Sequence, residues 1–484
     1  MFGLLQHHFG RILVLLGWGV ACSASAEDYD LVLFNGRVID PETQLDAVRN
    51  IGVRNGVIET VGADSLRGRI QIDASGLAVA PGFIDLHQHG HAQADYWLKA
   101  QDGVTTVCEF EVGTADVDAW YAVREGKTPI HFAVSIGHIP CRMAALGDPP
   151  SFLPRAGSDG ATRFATKETL AEVRRLLERG LERGAPAVGL GLQYTPGASQ
   201  LETVEVFRLA AKYAAACHVH LRFKGDKGLE NVFSGVMEVV AASALTGASA
   251  HICHVQSTAN RHTPRVLDLL SDARARGQDI SVECYPYTAG MTDIKSSVFN
   301  PGWQETTEIG YGDLQWMATG ERLNRESFER YRQVGGLVLL HANTEETIRA
   351  AVGHPLTMIG SDGLRGHPRN AGTSARILGR YVREMPVLTL LQAVDKLSLM
   401  PARRLEKRVP EMKKKGRIQV GADADLVVFN PVTVLDQATY EEPDLPSRGI
   451  QHVLVRGEFV VREGETQQDA KPGRAVRAPI LEHQ

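Results

Sequence analysis

The feature that most constrains the fold is a long alternation of short apolar runs and helical patterns between residues 81 and 410. Amphipathic segments such as KETLAEVRRLLERGLERG separate runs that have the length and composition of buried strands. Nine such runs follow one another: GFIDLH, VTTVCEFE, IHFAVSIGH, AVGLGLQY, HVHLRF, AHICHV, DISVECYPY, LVLLHAN and LTMIGSD. Repeated β-then-α units are typical of a (β/α)8 barrel or a doubly wound parallel sheet. Nine runs exceed the eight strands of a barrel, so at least one is expected to lie elsewhere.

The first run separates these two folds. No glycine-rich phosphate loop follows GFIDLH, although the dinucleotide-binding form of a doubly wound sheet requires one there. We therefore predict an α/β protein whose residues 81–410 form a (β/α)8 TIM-type barrel.

Both flanks of the barrel carry short β patterns. Residues 27–80 contain Asn-Gly pairs at 35–36 and 55–56 between β-branched runs, and such pairs are hairpin signals. The same pattern returns within residues 411–465, in GADADLVVFNP and QHVLVRGEFVVREG. We predict that the two flanks form one small β-sandwich-like domain, followed by a C-terminal tail over 466–484.

Residues 1–26 have the layout of a signal peptide. A weakly basic start precedes the apolar run ILVLLGWGV and an A-x-A cleavage site that ends at Ala26. The apolar run is too short to span a bilayer. We expect export to the periplasm or the exterior, with the mature chain beginning near Glu27. Lipoprotein processing at Cys22 is the alternative, but Gly19 stands where such sites favour Leu.

Charge and cysteine usage narrow the class of function. The 52 Lys and Arg against 57 Asp and Glu provide neither the basic surface of a nucleic-acid-binding protein nor a basic stripe for a membrane surface. No window after the signal has the roughly 18 apolar residues of a membrane span. The later cysteines are widely spaced and form no C-x-x-C pair, which argues against a disulfide framework and a thiolate zinc site. The expected partner is a small-molecule substrate.

Side chains that can bind a metal ion stand where several predicted strands end. After the first run, His87 and His89 are two residues apart, so both can face the barrel mouth. Barrel enzymes place their sites at these strand ends, and imidazole is a common Zn²⁺ ligand. Because unpartnered buried polar groups are costly, this placement predicts a metal site rather than core packing. The later strand ends concerned are His218-Val219-His220, His251-Ile252-Cys253-His254 and Ser361-Asp362.

These residues and their surroundings resemble the amidohydrolase superfamily of metal-dependent barrel hydrolases. VAPGFIDLHQHG, the later strand-end histidines and GSDG carry the resemblance, which covers about residues 30–460. The chain is more closely similar to the D-aminoacylase branch, the N-acyl-D-amino-acid deacylases, in DGVTTV, GLGLQYTPGA, HVHLRF, ECYPYTAG, SDG…HPRNAGTSARILGRYVRE and KGRIQVGADADLVVFNP. Within that branch, CEFE and TDIKSSVF resemble sequences assigned as D-glutamate deacylases. The resemblance implies hydrolysis of N-acyl-D-amino acids with one or two divalent ions, Zn²⁺ first.

The resemblance also implies which histidines bind the metal. His87 and His89 would hold one metal position, and His220 and His254 the other. His220 is preferred because its H-L-R matches the H-M-R of the family, with His218 as the alternative. His251 is expected at the start of a strand.

The bridging ligand is where this sequence departs from the family. The Gly-Asn-Cys-Gly turn that carries the bridging Cys of the branch is missing, and so is the strand-four Lys that other members carboxylate. Glu109 and Glu111 share one face of the second strand, and a carboxylate can bridge two cations. We expect Glu111, nearer the strand end, to bridge, with Glu109 as the alternative and Cys108 in the core.

The remaining roles follow from the resemblance. Zn²⁺ makes hydroxide available near neutral pH, and Asp362 would accept the proton of the water and return it to the leaving amine. Tyr194 would help to stabilise the oxyanion, unless it is a packed residue of the barrel rim. Tyr285 and Arg369 would bind the α-carboxylate of the substrate, Arg369 through its bidentate fork.

The side-chain preference is expected to differ from that of the branch. Gln256 stands where the branch tends to have Lys, and Met291 where it tends to have Ser. Lys295 and Arg222 are cations near strand ends that would meet an acidic side chain such as glutamate. For these two and for Lys224, solvated surface charge is the alternative.

Two other classes of function are weighed against this one. A dipeptidase or a hydantoinase-like enzyme would use the same barrel on dipeptides or cyclic amides, although the missing strand-four Lys argues against the usual hydantoinase site. A non-catalytic binding protein is the other, but such relatives lose their ligands, whereas this chain keeps the four histidines and Asp362.

Overall fold

The computed structural model describes residues 29–222 and 229–481, with the side chains at 229 and 230 left out. The predicted signal peptide, with Cys22, and Lys224 lie outside these residues. In the described chain the strands are β1 (Tyr29–Asp40), β2 (Leu45–Arg54), β3 (Val57–Gly62), β4 (Gly68–Asp73), β5 (Ala78–Pro81), β6 (Phe83–Asp85), β7 (Val104–Thr114), β8 (His131–Gly137), β9 (Ala187–Gly191), β10 (Ala216–His220), β11 (Ser249–Ile252), β12 (Ile280–Cys284), β13 (Gly290–Asp293), β14 (Leu314–Trp316), β15 (Leu337–Leu340), β16 (Thr357–Ile359), β17 (Leu426–Phe429), β18 (Ile450–Val455), β19 (Glu458–Arg462) and β20 (Glu465–Thr466).

Helices fill most of the connections between these strands. The α-helices are α1 (Gln93–Gln101), α2 (Val117–Ala122), α3 (His138–Leu146), α4 (Asp159–Thr162), α5 (Lys167–Glu182), α6 (Gln200–Lys212), α7 (Leu229–Thr246), α8 (Val255–Ala259), α9 (Thr263–Ala275), α10 (Trp303–Thr307), α11 (Arg325–Val334), α12 (Glu345–Gly353), α13 (Arg369–Arg376), α14 (Leu390–Val394) and α15 (Met400–Leu405). Single 3₁₀ turns lie at Asn260–His262, Ser297–Phe299, Tyr311–Asp313 and Pro410–Lys414, and π-helical turns at Ile377–Glu384 and Asp395–Leu399.

Eight parallel strands form a nearly closed barrel in the order β6-β7-β8-β9-β10-β11-β12-β16. The first and last strands meet through one parallel bridge, between Gln88 and Gly363. There the backbone N–H of His89 donates to the carbonyl of Gly363 at 2.7 Å. The predicted (β/α)8 fold is confirmed.

The helices cover the barrel because their apolar residues recur at helical spacing. In α5, Val173, Leu177 and Leu181 are four residues apart and all buried in the main core. The helix begins after Thr166, whose side chain accepts a hydrogen bond from the backbone N–H of Thr169. No helix in the described ranges has the length and apolar content needed to cross a bilayer.

The run LVLLHAN is the ninth candidate, and it lies outside the barrel. It forms β15, the middle strand of a three-stranded antiparallel sheet with β13 and β14. We call β13–β15 the roof sheet, because residues of β13 and β15 line the cleft above the barrel mouth. This sheet is inserted in the chain between barrel strands β12 and β16.

A second, nine-stranded sheet takes strands from both ends of the chain. Its order is β20-β19-β18-β17-β5-β1-β2-β3, with β4 paired to β1. The two ends join where Val427 of β17 lies opposite Ala80 of β5. The segment after it, predicted as a tail, packs on the barrel, where the N–H of Val476 donates to the carbonyl of Phe132 at 2.8 Å.

One of the two predicted hairpins is wrong. The pair Asn55-Gly56 does connect β2 to β3, with positive φ at both residues. The pair Asn35-Gly36 instead lies inside β1, at a shift of register with β2. Asn35 has a φ of 61°, which accommodates a bulge as readily as a turn. At Gly36, a Cβ atom would lie 2.6 Å from a methyl carbon of Val79, so only glycine fits there.

Candidate active site

The candidate site lies at the carboxyl ends of the barrel strands, and Asp85 fixes its first segment. One carboxylate oxygen accepts the N–H groups of His87 and Ser361, at 3.1 and 3.0 Å. The other oxygen accepts the Lys99 ammonium at 2.9 Å. Asp85 thereby joins the first strand end to the last one.

Glu111 lies at the centre of the four predicted metal-binding histidines. Its Oε1 atom is 2.6 Å from His220 Nδ1 and 3.1 Å from His254 Nε2. Its Oε2 atom is 3.1 Å from His87 Nε2 and 3.2 Å from His89 Nε2. Each carboxylate oxygen therefore faces one pair of histidines, which is the arrangement expected of a ligand shared by two metal positions.

Asp362 completes this cluster from the last strand end. Its Oδ1 atom lies 3.5 Å from His87 Nε2 and 3.3 Å from His89 Nε2. Asp362 and His254 both have left-handed backbone conformations, with φ of 51° and 32°. For residues other than glycine this conformation costs energy and is common at functional sites.

The donor set suits a zinc ion or a pair of them. The ligand atoms of His87, His89, Glu111 and Asp362 all lie within 4.8 Å of one another, and so do those of Glu111, His220 and His254. Imidazole nitrogens and carboxylate oxygens are the donors that Zn²⁺ takes besides thiolate. The residues present therefore fit the metal.

Electrostatics keep both carboxyl groups of the cluster ionised. Burial raises the pKa of Glu111, but His87 and His220 lower it more, and the pKa lies well below its usual value. Burial likewise raises the pKa of Asp362, while Arg369 and His87 bring it below the ordinary range. Ionised carboxylates are the form that binds a metal ion or accepts a proton.

Glu109, the alternative bridging residue, lies behind the cluster. Its Oε2 atom is 2.6 Å from His89 Nδ1, the ring nitrogen that faces away from Glu111. Its Oε1 atom accepts the N–H groups of Val112 and Gly113 at 3.1 and 3.3 Å. The structure therefore brings Glu111, and not Glu109, among the histidine pairs, and gives Glu109 the position of a group that orients His89.

His87 also has an acidic partner, as His89 has in Glu109, and the sequence analysis did not predict it. Glu283 of β12 contacts His87 Nδ1 through one oxygen and His251 Nε2, at 3.0 Å, through the other. The signal was present, since Glu283 is an acidic residue inside the apolar run DISVECYPY. His251 lies inside β11 rather than at its start, and its ring packs 4.5 Å from that of His218. Neither His218 nor His251 joins the cluster of ligand atoms.

Arg369 and Tyr285 lie next to the cluster. Arg369 Nη2 is 2.9 Å from Asp362 Oδ2, and its guanidinium carbon lies 4.5 Å from the centre of the Tyr285 ring. Arg369 is 1% exposed. Among the described residues its Nε and Nη1 atoms have no hydrogen-bond acceptor. Buried donors without partners are rare, and Arg369 therefore keeps unused hydrogen-bonding capacity beside the cluster.

Tyr194 closes another side of the site. Its ring centre lies 4.8 Å from that of His220, and its hydroxyl accepts a hydrogen bond from Thr292 at 3.3 Å. Burial raises the pKa of Tyr194, so the hydroxyl keeps its proton. The cleft above these residues has a volume of about 700 Å³, counting the space open to solvent. Its lining comprises His89, Glu111, Val112, Phe152, Leu153, Tyr194, His220, His254, Ser257, Tyr285, Gly290, Met291, Thr292, Val298, Leu337, Leu340, Ala342, Asp362, Leu364 and Arg369.

The structure does not bring the two predicted side-chain cations to this cleft. Arg222 makes a two-pronged ion pair with Glu238, with both distances 2.8 Å. The Lys295 ammonium donates to the backbone carbonyl of Val334 at 3.2 Å. Gln256 is buried, and its amide donates to the carbonyl of Tyr285 at 3.0 Å.

The cysteines lie outside the candidate ligand positions around Glu111. In the described chain Cys108, Cys141, Cys217, Cys253 and Cys284 are buried free thiols.

Comparison with known proteins identifies close relatives. A model of the amidohydrolase family matches residues 100–461. The N-acyl-D-glutamate deacylase of Alcaligenes xylosoxydans xylosoxydans is 32% identical over 93% of this chain and 97% of its own. The D-aminoacylase of the same organism is 30% identical over 91% of this chain and 96% of its own. A solved structure of the N-acyl-D-glutamate deacylase from Bordetella bronchiseptica has a TM-score of 0.80 to this chain at 29% identity, over 93% of this chain and 100% of that one. That deacylase is complexed with zinc and with a phosphonate inhibitor that mimics the tetrahedral intermediate of the reaction.

Proposed function

Because this chain belongs to the amidohydrolase family, we propose that it hydrolyses the amide bond of N-acyl-D-amino acids and releases a carboxylic acid and a free D-amino acid. The observation that carries the proposal is the Glu111 carboxylate between two histidine pairs, with Asp362 on the same side as His87 and His89. The named activities of the relatives support both the linear amide and the D configuration.

We propose Zn²⁺ as the cofactor, in one or two positions. His87 and His89 would hold one position, His220 and His254 the other, and Glu111 would bridge them. The zinc in the Bordetella deacylase structure supports this choice. When bound, the metal would act as a Lewis acid that acidifies water and polarises the amide carbonyl.

The protein side chains account for proton transfer and substrate orientation. Asp362 accepts the proton of the attacking water and then gives it to the leaving nitrogen, as a general base that becomes a general acid. The hydroxyl of Tyr194 donates to the carbonyl oxygen as negative charge develops on it. The guanidinium of Arg369 binds the α-carboxylate, with Tyr285 beside it.

The direct test is an assay of the zinc-loaded protein with pairs of N-acetyl-D- and N-acetyl-L-amino acids. We expect release of the D-amino acid and little release of the L form. Activity on dipeptides or hydantoins without release of any D-amino acid would contradict the proposal and favour a dipeptidase or a cyclic-amide hydrolase.

The acid–base role is tested by Asp362→Asn. We expect this variant to fold and to keep most of its metal but to lose turnover, since an amide cannot accept the proton of water. Asp444→Asn is the matched control, because Asp444 is half-exposed and does not line the cleft. Retained turnover in Asp362→Asn would rule out the role.

We also propose that the protein acts after export, on the basis of the signal pattern in residues 1–26. Determination of the N-terminus of the protein from its natural host tests this. A mature chain that begins near Glu27 is expected, and a chain that retains residues 1–26 contradicts export by cleavage.

A further inference from the structure

We propose that the roof sheet and the segment after it orient the hydroxyl groups of Tyr194 and Tyr285, so that each O–H points towards the substrate. Thr292 of β13 acts on Tyr194, and Asn343, three residues after β15, acts on Tyr285. Both are positioning residues, which act through a tyrosine. This inference rests on the proposed function, in which the two tyrosines contact the substrate.

The first contact joins the roof sheet to Tyr194. The hydroxyl of Thr292 donates to the hydroxyl of Tyr194 at 3.3 Å. Thr292 is paired in register with Val338 of β15, so the sheet fixes its backbone. Its branched side chain has few rotamers, and both Thr292 and Tyr194 are buried residues of the cleft lining. The hydrogen bond therefore reaches Tyr194 from a side chain with little freedom to move.

The second contact joins Asn343 to Tyr285. Asn343 Nδ2 lies 3.3 Å from the Tyr285 hydroxyl and 3.1 Å from the backbone carbonyl oxygen of Tyr287. Because a carbonyl oxygen can only accept, the amide nitrogen of Asn343, and not its amide oxygen, faces these two groups. The backbone N–H of Asn343 donates to the carbonyl of Thr288 at 2.9 Å. Asn343 therefore donates to Tyr285 from a fixed position.

Each contact sets the direction in which a tyrosine donates. A phenolic hydroxyl has one hydrogen and can both donate and accept. When Thr292 or Asn343 supplies a hydrogen to the phenolic oxygen, the hydrogen of the tyrosine itself must point away from that donor. In the proposed reaction, Tyr194 then donates to the carbonyl oxygen on which charge develops, and Tyr285 donates to the α-carboxylate. Donors that are already oriented need no rearrangement in the transition state, which is where they accelerate the reaction.

A double-mutant cycle tests the contact with Tyr194. Thr292→Val keeps the shape of the side chain and removes its hydroxyl. It should lower kcat about 2- to 12-fold with little change in KM, which is the effect of losing one neutral hydrogen bond. In the Tyr194→Phe background the same change should cause no further loss, because the group through which Thr292 acts is absent. Thr292→Ser, which keeps the hydroxyl, should retain the wild-type kcat.

A second threonine of the same region supplies the control. Thr307 lies at the end of α10, between β13 and β14 in the chain, and is also buried. Its hydroxyl donates to the backbone carbonyl of Trp303 at 2.8 Å. Thr307→Val therefore removes a buried hydrogen bond that does not involve either tyrosine, and kcat and KM should stay unchanged.

The cycle at Tyr285 should give a different kinetic result. Asn343→Leu should raise KM about 2- to 12-fold with little change in kcat, because Tyr285 is proposed to bind the α-carboxylate and Tyr194 to stabilise the transition state. In the Tyr285→Phe background, Asn343→Leu should raise KM no further. The substrate in both cycles is the N-acetyl-D-amino acid that the wild-type protein hydrolyses fastest.

The cycles separate orientation of the tyrosines from a general effect on the fold. Losses that multiply in either cycle would show that Thr292 or Asn343 acts independently of its tyrosine, and would overturn the inference while leaving the proposed function intact. A fall in kcat in Thr307→Val equal to that in Thr292→Val would overturn it as well. If Asn343→Leu does not fold, the cycle at Tyr194 still decides the inference. A wild-type protein that hydrolyses no N-acetyl-D-amino acid would refute the proposed function, and this inference with it.

Discussion

Replacing Glu111 with Gln should empty both metal positions, whereas the same change at Glu109 should weaken one. The two residues are two positions apart on β7, and Gln keeps the size of the side chain while removing its charge. Glu111 faces all four histidines through its two oxygens, at 2.6 to 3.2 Å. Of these four histidines, Glu109 contacts only His89, at the Nδ1 atom that points away from Glu111.

The size of each effect follows from these contacts. Loss of a group that orients a metal ligand costs about 10- to 100-fold in metal affinity, or about 1.4 to 2.7 kcal/mol. The loss of metal affinity in Glu109→Gln should fall within that range and should concern the metal position that His89 helps to form. Loss of a direct ligand lowers the metal affinity by more than the loss of a group that orients one. Glu111→Gln should therefore lower the metal affinity more than about 100-fold at each of the two positions.

The assay is the metal content of each variant after dialysis, measured by mass spectrometry, with kcat/KM measured against added Zn²⁺. Thermal melts of the metal-free proteins serve as the control for folding. Full metal content in Glu111→Gln, or an equal loss in both variants, would refute the bridging role.

Three further predictions concern single side chains. Arg369→Lys should raise KM at least about tenfold, because Lys keeps the charge but lacks the two-pronged fork, and an unchanged KM in steady-state kinetics would contradict carboxylate binding. Tyr194→Phe should lower kcat about 100-fold with little change in KM, whereas a Tyr that only packs at the rim would leave kcat unaltered. Burial raises the pKa of Glu202, but His138 and Arg142 bring it down to about 2. Because its folded pKa is lowered, this carboxylate stabilises the protein fully above about pH 4.5 and loses about 3 kcal/mol as the pH falls through 2, so urea melts of Glu202→Gln should lack that dependence.

The barrel and the histidine cluster could be predicted from the sequence because each has a local pattern. The period of two in a strand placed His87 and His89 on one face, and the β-then-α repeat placed the other ligands at the same end of the barrel. Local pattern also predicted Glu109 and Glu111 on one face of β7. Their different positions depend on the pairing with β8, because Glu109 lies opposite Val134 whereas Glu111 falls within the register shift that follows, and the sequence of one strand does not encode this pairing.

Other parts of the site depend on contacts between distant segments. LVLLHAN has the composition of a barrel strand, and only its pairing with β13 and β14 shows that it covers the mouth. Glu283 contacts His87 across 196 residues of sequence. The pairing of Arg222 with Glu238 likewise removed a cation that strand-end position alone had assigned to the substrate.

The closure of the barrel between its first and last strands has a consequence for folding. The hydroxyl of Ser361 donates to the carbonyl of His87 at 3.0 Å, although the two residues are 274 positions apart in the sequence. Asp362 lies on one side of this junction between the first and last strands, and His87 and His89 lie on the other. Contacts so distant in sequence form late, because the entropy of closing the chain must first be overcome. The complete ligand set therefore exists only in the finished barrel, and a bound ion adds its binding free energy to that state alone. A bound metal ion would therefore slow the separation of the first and last barrel strands after the last strand has docked.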